Sequence, residues 1–193
     1  MLQAFVFERV GVVVGDLYFL DPNPHPGQEG AEHGVRLELR VFDRGDLKGT
    51  IYSAMPIEVG RPIWRVDLLE SVDGKPGSFN RTHHHPKFNG WDPTNRQYLR
   101  ELSADPLGWL GARLADLDGL LASAGFPADT VGPDDAESLL GAGPEIVDVT
   151  RRLLEKVHRG ELGHPPRDEA LAGPGGPADA PGPSEVGIRA GWL

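Results

Sequence analysis

The sequence predicts an α+β domain: an antiparallel β-sheet of about five strands, with C-terminal helices covering one face and a disordered C-terminal tail. Two observations carry this. In the first ninety or so residues apolar side chains recur with period two, as in Leu37, Leu39 and Val41 against Arg36, Glu38 and Arg40. That alternation marks strands half buried in an antiparallel sheet. Further along the period becomes three and four, which is helical. Strands first and helices after place the helices on one side of the sheet. A chain of 193 residues holds one domain with a real core more comfortably than two. The domain is expected over residues 1–160, strand-rich over 1–90 and helical over 94–160, with 161–193 a Gly/Pro-rich flexible tail.

The elements follow in order. Residues 3–20 read as a β-hairpin, with Phe5, Phe7 and Val12, Val13 and Val14 before a break at Gly15 and Asp16, and Leu17 to Leu20 after it. Residues 21–34 carry several prolines and glycines and are expected to be a loop. Strands are then expected at 35–42, at 49–57 around Thr50, Ile51 and Tyr52, and at 62–70. In the last of these Trp64, Val66 and Leu68 share one face, and Arg65 and Asp67 the other. Asp105 is a good N-cap and Pro106 suits the first helical position. Leu107, Leu110, Leu114, Leu117 and Leu121 then form one stripe that ends at Gly125 and Pro127. A short helix is expected from Pro133. A longer one is expected from Pro144 to His158, with Ile146, Val149, Leu153 and Val157 on its inner side.

Composition narrows the function. Hydrophobic residues are 39% of the chain, a low value that reflects mostly the last thirty or so positions, where Gly, Pro, Ala and Asp dominate. Such a segment cannot bury enough apolar surface to offset its ordering entropy. A net charge of −10 argues against a broad nucleic-acid surface, since phosphate backbones are gripped by Lys and Arg; a local RNA contact stays open. Arginine outnumbers lysine 15 to 4, which points to a GC-rich, bacterial genome. There is no cysteine, so disulfides and thiolate metal sites are excluded. No signal peptide and no apolar run of membrane-spanning length is visible. A cytoplasmic protein is expected.

Chemistry concentrates at His83, His84 and His85, stopped by Pro86. In an extended chain His83 and His85 point to one side and His84 to the other. A pair so placed is sound geometry for a divalent metal such as zinc, which also needs a third ligand. Asp67, Asp92, Glu70, His25 and His33 are candidates, although His25 and His33 are otherwise expected to be idle loop residues. Without a metal, one histidine can act as general acid or base while Arg65 or Arg81 holds a phosphate. The plainest alternative is structural: rings that cap a strand end or pack on Phe88 and Trp91, their nitrogens bonded to backbone. Arg36, Glu38 and Arg40, if they neighbour Arg65 and Asp67, make either a solvated face of weak ion pairs or an anion-binding floor below the histidines. The candidate catalytic set is therefore His83, His84, His85, Arg65, Asp67 and Arg81, with His83 and His85 the candidate metal ligands.

Residues 64–92 run in the order Trp64-Arg65-x-Asp67, a glycine-rich turn, His83-His84-His85-Pro86, then Trp91-Asp92-Pro93. This order resembles that of a bacterial domain family of unassigned function. It is also similar to TumE-type toxins of toxin–antitoxin pairs, which carry an Arg-x-Asp strand followed by a histidine-rich stretch. The resemblance implies weight for Arg65, Asp67, His84 and His85, and a small toxin-like enzyme acting on a phosphate-containing substrate such as RNA. It covers residues 64–92 alone; the chain is longer than a compact toxin, adds two helices and lacks a later basic histidine segment. Residues 186–193, from Val186 to Leu193, are apolar beyond a flexible linker and are similar in style to encapsulin cargo peptides. They imply the other function class, a non-enzymatic interaction module whose histidine loop is structural and whose C-terminal peptide docks on a protein partner.

Overall fold

The structure, a computed structural model, describes residues 1–165. The expected tail and its docking peptide lie outside the described residues. Five strands, β1 (Leu2–Val6), β2 (Val10–Leu20), β3 (Ala31–Arg44), β4 (Ile57–Ser71) and β5 (His83–His85), form one antiparallel sheet in chain order. A small hairpin follows, β6 (Phe88–Asn89) and β7 (Asp92–Pro93). Helices α1 (Arg100–Ala104), α2 (Pro106–Leu114), α3 (Leu117–Ala124) and α4 (Asp135–His158) complete the described chain.

The strand register explains which face the helices cover. Val12 pairs with Leu39 and Leu39 with Trp64, while Val14 pairs with Leu37 and Leu37 with Val66. All six are buried, and Leu110, Leu114, Leu121, Ile146 and Leu153 of the helices pack on them as one core. The opposite face carries Arg36, Glu38, Arg65 and Asp67. On β3, opposite Leu69 of β4, lies Gly34, whose φ is 152°. A Cβ there would lie 2.1 Å from the Leu68 carbonyl oxygen, so no side chain fits.

Several boundaries differ from expectation for identifiable reasons. β2 runs unbroken through Gly15 and Asp16, because both lie inside its ladder with β3; the turn falls earlier, at 7–9. β3 begins at Ala31, so His33 sits on a strand and not in a loop. Residues 49–56 are not a strand: they belong to the turn joining β3 to β4, Ile51 and Tyr52 are exposed, and Ile57 already opens β4. The fifth strand is the histidine segment itself. The leucine stripe is cut in two because the Asp116 carboxylate accepts from the Gly119 backbone N–H and caps a new helix. At the other end α4 runs straight through Pro144. Proline removes one helical hydrogen bond there, to the carbonyl of Leu140, and Leu140 is on the exposed side. The helix is also anchored from its start. The buried Asp135 carboxylate accepts from the backbone N–H groups of Gly132 (2.7 Å), Glu8 (2.8 Å) and Arg9 (3.1 Å), tying α4 to the β1–β2 turn.

Candidate functional site

Strand pairing assembles the site. On the face away from the helices, His83 lies opposite Asp67 and Asp67 opposite Arg36. One rung along, His85 lies opposite Arg65 and Arg65 opposite Glu38. His84, the odd residue, pairs with Val66 and faces the core. Its Nδ1 accepts from the Trp64 indole N–H at 3.4 Å, and its ring meets Trp109 edge-on at 5.3 Å. Burial, and then Arg113, push this imidazole down to about 4. His84 thus belongs to the packing, and the structure does not bring it to the other candidate residues.

Asp67 is the centre of the polar cluster and is only 1% exposed. Its Oδ1 accepts from Arg36 Nε at 2.6 Å. Its Oδ2 lies 3.1 Å from Arg65 Nε, 3.3 Å from His83 Nε2 and 3.7 Å from His85 Nε2. Burial alone would raise this carboxyl; Arg36, the His83 hydrogen bond and Arg65 outweigh it and hold the group far below the usual carboxylate range. The expected solvated face is therefore a desolvated ion cluster at this point, because Arg36, Arg65, His83 and His85 pack around the Asp67 carboxylate.

The two imidazoles are oriented from behind. His83 Nδ1 donates to the Arg81 carbonyl at 2.8 Å, and His85 Nδ1 donates to the Thr94 carbonyl. Their front nitrogens meet different neighbours. Arg65 Nη2 lies 2.9 Å from His85 Nε2, and a guanidinium can only donate. His85 is therefore held as the neutral ring with its proton on Nδ1. Burial, then Arg65, push it down to about 4. His83 instead has an acceptor at each nitrogen, the Arg81 carbonyl behind and the Asp67 carboxylate in front.

These groups line an open pocket of about 340 Å³, together with Phe19, Pro93 and Arg96. Arg96 was not legible as a site residue. It comes from the segment after β7, is anchored on Glu32 at 2.9 and 3.1 Å, and lies over Phe19. Arg81, expected to hold an anion, is not among the lining residues; its guanidinium donates to the carbonyls of Gly27 and Glu29 and holds that loop. Of the proposed third ligands, Asp67 joins the two histidines. Glu70 faces His158 (3.2 Å) and His33 (3.7 Å) elsewhere. Asp92 and His25 are exposed.

Asp67, His83 and His85 each offer one ligand atom, and these atoms all lie within 4.8 Å of one another. The group could hold a metal ion. Donating Nδ1 to a backbone carbonyl is also how protein metal sites orient their histidines. Searches find no family model, no curated protein and no solved structure that the chain matches. Among the described residues no helix is long and apolar enough to cross a membrane.

Proposed function

We propose that this chain is a small bacterial, cytoplasmic, toxin-like enzyme that acts on a phosphate-containing substrate, RNA foremost, by histidine acid–base chemistry. One observation carries this reading: two imidazoles with opposite hydrogen-bonding demands share a pocket with three guanidiniums. A ring whose front nitrogen faces a donor and a ring whose front nitrogen faces an acceptor are suited to serve as one base and one acid. In RNA the nucleophile is internal. The neutral Nε2 of His85 takes the proton of the 2′-hydroxyl, the 2′-oxygen bonds to phosphorus, and the P–O5′ bond breaks. His83 gives its Nε2 proton to the departing 5′-oxygen. Arg36, Arg65 and Arg96 hold the phosphate and the charge that grows on it, a task suited to planar donors. Arg65 has a second part, since it occupies His85 Nε2 until substrate draws its guanidinium onto the phosphate.

The test uses labelled single-stranded RNA with chelator present. Wild type is expected to cleave it, leaving a 2′,3′-cyclic phosphate, and His85→Gln to lose about 10²–10⁴-fold in rate. Expression is expected to arrest bacterial growth, and the double change His83→Gln with His85→Gln to relieve it. No cleavage and unaffected growth with folded wild type would sink the reading.

A second reading, a divalent cation such as zinc on Asp67, His83 and His85, is favoured by the convergence of their ligand atoms. It must contend with Arg36 and Arg65 already on Asp67. At about 4 Å and an effective dielectric near 20, each unit-charge pair is worth about 4 kcal/mol, so a doubly charged ion beside a guanidinium meets about twice that in repulsion. Metal analysis of protein purified without chelator distinguishes the two: stoichiometric zinc, with activity lost in chelator, would replace the acid–base mechanism.

A further inference from the structure

Building on that reading of the pocket, we infer that its substrate is a single strand of RNA, held also by a base that stacks on Trp91 beside Arg40. Trp91 sits in the turn of the β6–β7 hairpin, after Gly90 with φ 65°, and is 64% exposed. Exposing a side chain of this apolar area forgoes a large burial gain. No core role explains it, and its indole face is presented outside the core.

Its setting indicates what covers it. The Arg40 guanidinium lies 5.7 Å from the Trp91 ring centroid. The same pairing recurs nearer the pocket, where Arg65 lies 5.7 Å from the Phe88 centroid and Arg96 lies 5.6 Å from that of Phe19. Interleaved guanidiniums and aromatic faces match a strand in which charged phosphates alternate with planar bases. Arg65 and Phe88 link the two ends, because Arg65 lines the pocket and Phe88 belongs to the hairpin that carries Trp91. Arg40 is four residues from Arg36 on β3, roughly 13 Å along a strand, within reach of a neighbouring nucleotide. A paired base hides its faces in the helix stack, so the ligand is single-stranded. The overall negative charge confines binding to this short track.

The experiment measures binding of a fluorescein-labelled, 2′-O-methylated RNA decamer, which cannot be cleaved, to the full chain by anisotropy. Trp91→Ala is expected to weaken binding about 5- to 150-fold, as loss of one stacked base does, with Trp91→Phe recovering most of it. The blunt duplex of the same sequence is expected to bind no better than Trp91→Ala binds the single strand. Cleavage of the dinucleotide UpA reads the pocket separately. If UpA is cleaved but Trp91→Ala binds the decamer within twofold of wild type, the stacking inference fails, the acid–base reading stands, and Trp91 serves a protein partner. Equal binding of duplex and single strand also overturns it. If UpA is not cleaved and no RNA binds, both readings fail.

Discussion

Asp67 carries a charge that water barely reaches, and its neighbours replace the water. Arg36 and Arg65 supply positive charge and donors, while His83 supplies a hydrogen bond. Removing the charge while keeping the shape leaves two guanidiniums facing a neutral amide. Asp67→Asn is expected to lower unfolding free energy by about 3–5 kcal/mol, as for other broken buried ion pairs, measured by urea denaturation at pH 7. A loss under about 1 kcal/mol would mean that solvent already screens the cluster. His84 gives a different residue-scale prediction. Its folded pKa of about 4 lies below the ordinary imidazole value of about 6.5, so the unfolded chain binds the extra proton between those pH values. Stability from this group is complete above about pH 6.5 and is lost as pH falls toward 4. The depressed His85 acts in the same direction and over the same window. His84→Phe is expected to flatten the rise of unfolding free energy between pH 4.5 and 7, although absolute stability drops because the Trp64 N–H loses its acceptor. An unchanged slope would show that His84 already titrates normally in the fold.

At the scale of elements, local signals carried over where the physics is local. Period-two alternation in β3 and β4 places the right residues on each face, and extension alone separates His84 from His83 and His85. Boundaries failed where a distant partner decides them. Asp116 is a local exception: its partner Gly119 is three residues away, as Gly108 is from Asp105, and the continuous leucine stripe hid that cap. Pro144 reads as a helix start, yet α4 absorbs it because Leu139 before it and Ile146, Val149 and Leu153 after it are packed in the core and hold the helix on both sides. Asp135 is the clearest case of a long-range anchor, with three backbone donors from two separate segments on one carboxylate. Asp135→Ala is expected to cost about 3 kcal/mol, since buried donors left unpaired are expensive. Hydrogen exchange should show the β1–β2 turn and the first turn of α4 losing protection together. Loss confined to the helix would contradict the tie.

The whole molecule assigns its two sheet faces different work. Among the described residues, one is covered by the helices α1 to α4 and supplies stability. The other is covered only in part, and there lie the charged rungs, both imidazoles and the pairs Arg40–Trp91, Arg65–Phe88 and Arg96–Phe19. The site was half legible in the sequence. His83, His85, Arg65 and Asp67 could be named because alternation and strand proximity are local. Arg36 lies on the alternating face, but its tie to Asp67 needs the β3–β4 register. Arg96 arrives from an irregular segment with no periodicity to reveal it, and Arg81 looked apt until its partners proved to be loop carbonyls. The most direct measurement is long-range proton–nitrogen NMR of the full chain with labelled histidine, titrated with inorganic phosphate at pH 7. Expected are a His85 ring with its proton on Nδ1 and Nε2 bare, and phosphate-dependent movement of the Nε2 signals of both His83 and His85. Rings that ignore phosphate but shift with stoichiometric zinc would contradict the acid–base site and leave a metal centre in its place.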